Sequence, residues 1–320
     1  MINYQKVWSL VNWLLVIIWL LIIGNWSFCL AADTGQAGLD IAVLEAGVGA
    51  RPLGMGGAFT AIADNSDAPY WNPAGLSQMK HSEISAMQTK LSTDADHYYV
   101  SYVTPFLSGG LGISWIQIGM GSITQTGTTD AYNDVENLGI FSYFSNAYML
   151  AYGQNITDNL SFGITAKYLT SDMPGLVSIE GASAYGYSIT PGLLYKPTND
   201  LSIGFKVDEL VNSQKWGTDT EEKAPSKYRL GVAYSLLVAR YPLLLSADIS
   251  QINQAGYASA ASAGAELTMG SLAFRLGSSD STLTAGAGLG SEHVRIDYAY
   301  VTQANLSQDN VHRVSLTGIW

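Results

Sequence analysis

Fourteen segments after residue 80 alternate apolar and polar residues with a period of two, the signature of β-strands whose side chains point to opposite faces in turn. They run approximately over 81–90, 96–104, 109–119, 143–153, 159–170, 184–196, 199–208, 226–236, 241–251, 259–268, 270–278, 281–290, 292–301 and 311–320. Leu201, Ile203, Phe205 and Val207 oppose Ser202 and Lys206. Tyr228, Leu230, Val232 and Tyr234 oppose Lys227 and Arg229. Val294, Ile296, Tyr298 and Tyr300 oppose His293, Arg295 and Asp297; Val314, Leu316, Gly318 and Trp320 oppose Arg313, Ser315 and Thr317. Each segment has about the ten residues that a tilted membrane strand needs. A secreted β-sandwich shares the alternation, but rarely has so many long strands in succession.

The connections separate the two readings further. Four on the odd side, 120–142, 171–183, 209–225 and 302–310, are the longest. The even ones, such as 105–108, 154–158, 197–198 and 237–240, are short, and the 279–280 link is a short exception on the odd side. Long outer loops and short turns at the other end are the habit of membrane barrels. The pattern therefore predicts an all-β, transmembrane antiparallel β-barrel of about 14 strands.

Composition points the same way. Charged residues are 13% of the chain, about half the usual share for a soluble domain, and there are 33 glycines and 19 tyrosines. No run after residue 30 has the ~18 apolar residues of a spanning helix, so the chain would have to cross a membrane as strands closed on themselves. A net charge of −11 argues against nucleic acid as a partner.

The first 31 residues form a separate leader. Lys6 precedes an apolar run from Val7 to Ile23, and Cys29 and Ala31 fit small-x-small cleavage before Ala32. Residues 1–31 thus predict a signal peptide, with a retained inner-membrane anchor as the alternative for so long an apolar run. Cys29 is the one cysteine, so the chain after the leader offers neither a disulfide nor a thiolate zinc site.

Residues 32–80 differ from the alternating region. Small residues dominate 46–76, Asp64 to Asp67 are turn or cap formers, and Asn72-Pro73 reads as the N-cap and first position of a short helix. Such a segment suits packing inside something larger. Its Gly-rich run, Gly47 to Gly57, lacks the strand before it and the βαβ pattern after it that a dinucleotide fingerprint requires. Ser291, His293 and Asp297 are conceivable as a hydrolytic set. The plainer reading is that polar inward groups line a polar lumen, and no catalysis, cofactor or metal site is expected. Lys206, Lys227, Arg295, Asp297 and Arg313 point inward in this register, either to steer a ligand or to fill the lumen with ion pairs.

Gly49-Ala-Arg-Pro-Leu-Gly-Met-Gly-Gly-Ala-Phe-Thr-Ala-Ile-Ala-Asp64, followed by Tyr70-Trp-Asn-Pro-Ala-Gly-Leu76, resembles the N-terminal signature of PorV/PorQ-type proteins, part of the wider FadL-like outer-membrane group. Asp297-Tyr-Ala-Tyr-Val301 with His312-Arg-Val-Ser-Leu316 is similar to that family's last hairpin, although Thr302-Gln303 stand where relatives often have Pro-Phe. The resemblance implies a barrel at 81–320, an N-terminal plug or hatch at 32–80, and plug-motif positions Gly56, Gly57, Asp64, Asn72, Pro73 and Gly75. It implies the outer membrane of a diderm bacterium as location, with lipid as surroundings. The last strand resembles the recognition signal read by the barrel assembly machinery, with Leu316, Gly318 and Trp320 as its elements. Two roles follow as expectations. One is passive uptake of small hydrophobic compounds such as fatty acids, gated by the plug. The other is a non-enzymatic part of a type IX-like secretion system, or a scaffold, binding exported proteins through outer loops 120–142 and 209–225.

Overall fold

The computed structural model describes residues 41–91, 94–128, 135–176, 182–254, 256–280, 282–302 and 310–320. The expected leader 1–31, the start of the 32–80 segment and most of the 302–310 connection lie outside them. Three short helices, α1 (Ala42–Glu45), α2 (Ala50–Gly54) and α3 (Ala68–Trp71), and a 3-10 helix (Pro73–Gln78) precede the strands. Next come β1 (Glu83–Lys90), β2 (Asp96–Phe106), β3 (Gly109–Thr128), β4 (Val135–Asn155), β5 (Leu160–Asp172), β6 (Ser183–Tyr195), β7 (Leu201–Asp208), β8 (Val211–Trp216) and β9 (Glu221–Glu222). The series ends with β10 (Lys227–Val238), β11 (Tyr241–Ile252), β12 (Ala260–Met269), β13 (Leu272–Ser279), β14 (Thr282–Gly290), β15 (Val294–Val301) and β16 (Val311–Ile319).

Without β8 and β9, which extend one side, fourteen antiparallel strands form a closed barrel. Closure runs through β1 and β16, Glu83 opposite Ile319 through Gln88 opposite Val314. Ser82 and Trp320 lock the seam with reciprocal backbone hydrogen bonds of 3.0 and 3.1 Å. Burial alternates along the strands: Glu83, Ser85, Met87 and Thr89 face in, while Ile84, Ala86, Gln88 and Lys90 face out. The outward set is otherwise rich in large apolar side chains, such as Val100, Ile113, Leu230, Leu276, Ile296 and Leu316, a continuous exposure that only lipid accommodates. This is a transmembrane barrel.

Two expectations about the loops are corrected. Residues 120–142, read as a loop, continue β3 to Thr128 and start β4 at Val135. A register shift between Met120 and Ile123 and another at Gln125–Thr126 break the alternation there. Residues 209–225 contain β8, paired with the outer half of β6, and β9. β7 and β8 are one strand with a bulge. β6 pairs with β7 from Gly192 opposite Lys206 and resumes with β8 at Ile189 opposite Val211, so two extra residues are pushed out of register. Glu209 takes a left-handed φ of 55° in that bulge.

Candidate functional site

The lumen holds residues 41–79, and the wall is shaped to receive them. In β3, β4, β5, β7, β12 and β13, glycine occupies inward positions. A Cβ at Gly110, Gly153, Gly163, Gly204, Gly264 or Gly277 would fall 2.2–2.5 Å from backbone atoms of residues 55–76. Several of these glycines are cross-strand partners, Gly153 with both Gly110 and Gly163, and Gly264 with Gly277. Wall and segment thus meet backbone to backbone, an approach only glycine permits. Where the wall is not glycine, its polar side chains satisfy the irregular backbone of the segment. Ser315 Oγ accepts from Ala50 N at 2.8 Å, and Asp248 Oδ2 accepts from Phe59 N and Thr60 N at 3.2 and 3.0 Å. Glu83 Oε2 accepts from Ser66 N at 2.9 Å, and Thr165 Oγ1 donates to Pro69 O at 2.8 Å. A buried loop needs such partners.

The motif positions serve this seating. Gly56 has φ 66° and lies against the Ser278 backbone; Gly57 has φ 75° and lies against the Trp71 ring. Gly75 leaves no room for a Cβ, which would sit 2.0 Å from Ala63 O. Asn72 caps the Pro73 helix, its side chain accepting from Ala74 N at 3.1 Å, and Nδ2 donates to Thr60 O and Leu193 O. Asp64 stands at a more open place and pairs with Arg51 at 2.5 Å.

Inward charges form two clusters. In the first, Arg51 bridges Asp64 and Glu266, Glu266 meets Arg275 at 2.5 Å, Arg275 meets Asp297 at 2.8 Å, and Asp297 meets Arg295 at 3.0 Å. In the second, at the β7–β8 bulge, Asp208 pairs with Lys206 at 2.7 Å and Arg229 at 2.9 Å, while Glu209 takes Lys167 and the Ser188 hydroxyl. Lys206 Nζ also donates to Tyr70 O and lies 5.3 Å from the Tyr70 ring centre. Lys227 reaches Glu45 of α1 at 2.6 Å. Arg313 is buried and meets no carboxylate among the described residues; its contacts are Gly47 O and His97 Nδ1, both at 3.4 Å. Reading the sequence did not find His97, Lys167, Glu209, Glu266 or Arg275 as members of these groups. The inward parity of His97, Lys167, Glu266 and Arg275 was visible, but their partnerships cross strands, and Glu209 lay in a segment read as a loop.

The structure does not join Ser291, His293 and Asp297. The first and second lie in the exposed β14–β15 turn, and Asp297 is engaged by two arginines. Leu316 and Gly318 face outward, and Trp320 stacks on Tyr102 with ring centres 6.0 Å apart. Outside, a concavity of about 780 Å³ is lined by Tyr102, Trp115, Tyr148, Leu150, Tyr168 and Tyr187, side chains that face lipid rather than the lumen. At the outer rim, a hydrogen bond and the charge of Lys215 hold the Asp219 carboxyl below its usual range.

No protein-family model and no curated protein matches the chain. Solved structures do match the fold. The P. putida toluene transporter TodX is 14% identical, with 85% of this chain and 97% of that chain covered and a TM-score of 0.54. The CymD monoaromatic hydrocarbon channel is 13% identical, with 86% and 98% covered and a TM-score of 0.58. A Pseudomonas aeruginosa FadL homologue is 11% identical, with 85% and 98% covered and a TM-score of 0.53. The fold is therefore a FadL-like barrel. The narrower likeness to PorV and PorQ has no counterpart among these structures.

Proposed function

We propose that the protein is an outer-membrane channel for the passive uptake of small hydrophobic compounds. The observation that supports this most is the match of nearly the whole described chain to channels for toluene and other monoaromatic hydrocarbons. The lumenal segment fits the reading. A bare fourteen-strand barrel is wide enough to pass water, and residues 41–79 fill it. Any passage for an apolar compound then follows the segment's edge and needs only a local shift. The corner at 41–49, rather than the glycine-seated part, is the candidate gate.

Liposomes containing the purified protein should take up a labelled fatty acid or toluene in a saturable way. A variant in which paired cysteines lock residues 41–49 to the wall should be slower under oxidising than reducing conditions. Absence of saturable uptake in every form overturns the channel reading. A secretion or scaffold role draws on one observation, the β3–β4 ribbon that runs on to Thr128 and Val135 and exposes Leu138 and Ile140. Stoichiometric recovery of an exported protein from native membranes, lost on trimming that ribbon, would favour it.

A further inference from the structure

The lipid-facing side of β2 to β6 carries its side chains in cross-strand rows. Val100, Trp115, Tyr148, Tyr168 and Tyr187 form one row. The next row toward the long connections is polar, with Tyr98, Gln117, Asn146, Thr170 and Tyr185, and Asp96 and Asp172 follow one step further. The next row toward the short turns is mostly apolar, with Ile113, Leu150 and Ala166. The head-group boundary of the membrane therefore falls at Gln117 and Asn146, and the aromatic row lies just beneath it, where amphipathic rings are favoured. Asn146 points toward lipid, yet is 8% exposed. Its Oδ1 accepts from Trp115 Nε1 at 3.2 Å and Gln117 Nε2 at 2.9 Å, and its Nδ2 donates to Thr170 Oγ1 at 3.3 Å. The polar row is thus closed on itself.

Beneath that row the wall is hollow. The concavity of about 780 Å³ has the small side chain of Ala166 among its lining, with Trp115, Tyr148, Tyr168 and Tyr187 around it. The ladders from β2 to β6 are unbroken at this height, so the hollow does not open into the lumen. The hydroxyls of Tyr148, Tyr168 and Tyr187 meet no partner among the described residues. Tyr98, Tyr152 and Tyr298, which also face outward, are hydrogen-bonded to Gln88, Gln154 and His312. One such free hydroxyl is ordinary in an aromatic belt. Three on adjacent strands span about 10 Å and set three donors beside one apolar hollow. A phosphate is not their match, because Lys215, across from Tyr185, is paired with Asp219 at 2.9 Å. An uncharged acceptor at the head of an alkyl chain is. We infer that β3 to β6 form a retained-lipid site: one acyl chain of a membrane lipid lies in the hollow, and its ester or amide carbonyl accepts from the tyrosine hydroxyls. This goes beyond the channel reading and does not rest on it.

The test offers the purified full-length protein in detergent a phosphatidylcholine with ester-linked chains or its ether-linked counterpart of equal chain length, and counts bound lipid by native mass spectrometry. One ester-linked lipid per chain should be retained, about fivefold more tightly than the ether-linked one, the worth of one net hydrogen bond. A variant combining Tyr148→Phe, Tyr168→Phe and Tyr187→Phe loses only the hydroxyls and should bind both lipids equally. Ala166→Phe fills the hollow and should retain neither. Ala287→Phe, on the lipid face of β14 between Phe274 and Tyr298, is the control and should bind as wild type does. Absence of any retained lipid, equal retention of the two by wild type, or a lipid that persists in Ala166→Phe overturns the site. So does a wild-type dimer that Ala166→Phe dissociates, because a second copy would then fill the hollow. Uptake through the lumen is untouched by each of these outcomes. Should Ala166→Phe fail to fold, the ester–ether comparison in wild type and the tyrosine variant still decides.

Discussion

The lumenal segment is held in two ways along its length. Residues 54–76 lie on wall glycines, and their backbone hydrogen-bonds to inward side chains of β5, β11 and β14 among others. Residues 41–49 are tied mostly to the segment itself. Tyr70 Oη donates to Leu44 O at 2.7 Å and accepts from Gly47 N at 3.2 Å, and Trp71 Nε1 donates to Val48 O at 2.9 Å. Their polar wall contacts among the described residues are the Lys227–Glu45 pair and the long Arg313 contact, and α1 also packs against β3 and β4. One stretch is seated on the wall's backbone; the other, buried as well, is suspended mostly from side chains of the segment itself. Local opening has a lower free energy where fewer buried contacts are lost, so movement, if uptake needs it, belongs to the second stretch.

The strongest attack on this comparison is at the seated stretch. Arg275→Met leaves Glu266 and Asp297 buried, each with only one remaining partner beneath α2. Breaking a buried pair in this way should cost about 3–5 kcal/mol. Guanidinium unfolding of the detergent-refolded protein measures it, and an unchanged midpoint would mean the charged mesh does not hold the segment. Next in size is Gly163→Ala, whose new Cβ would sit 2.2 Å from the Pro73 carbonyl carbon. Overpacking of this kind costs about 1–3 kcal/mol. Gly290→Ala is the control, since its nearest neighbour would be 3.6 Å away. If both glycine variants behave alike, the wall is not a seat.

The outer face of this arrangement was legible in the sequence, and the inner one less so. Lipid imposes a strict rule on outward positions, and the fourteen strands were found from it within a few residues, except at the outer ends of β3 and β4. The rule lapses beyond the membrane. β3 and β4 continue past Met120 with exposed Gly121, Ser122 and Thr124, and the register shift there changes the phase, so a strand reads as a loop. Inside, Gly153, Gly163, Gly204 and Gly264 have the same parity as the polar lumen residues. That coincidence is a readable signal that the wall accepts another backbone, whereas glycine abundance alone indicates no more than surface in lipid. The plug-motif positions came from the resemblance; at two of them the structure shows a local role, space at Gly75 and a helix cap at Asn72. That Arg313 meets no carboxylate among the described residues was out of reach. It depends on which carboxylates the other cations claim across the barrel.

At the suspended stretch, effects should be smaller globally and larger locally. Trp71→Phe removes the donor to Val48 O and should cost about 1 kcal/mol. Amides of residues 43–49 should exchange faster in hydrogen-exchange mass spectrometry, with residues 55–63 unchanged. Equal acceleration in both stretches would show that the segment opens as one unit and would remove the distinction between them.

Lys227→Met is the gentlest probe. Its ion pair with Glu45 is partly exposed, Glu45 being 37% accessible, and pairs of this kind contribute about 0–1 kcal/mol because water competes for both charges. Global stability should therefore be nearly unchanged. Lys227 nevertheless supplies the salt bridge from the wall to α1, so its loss should still loosen residues 41–46. Exchange there should rise, by less than in Trp71→Phe, and the rise should shrink at high salt, where wild type also loses the attraction. Uptake of a hydrophobic compound should become faster if the corner is the gate. A variant with looser corner amides and unaltered uptake would separate mobility from passage, and would move the gate elsewhere in the lumen.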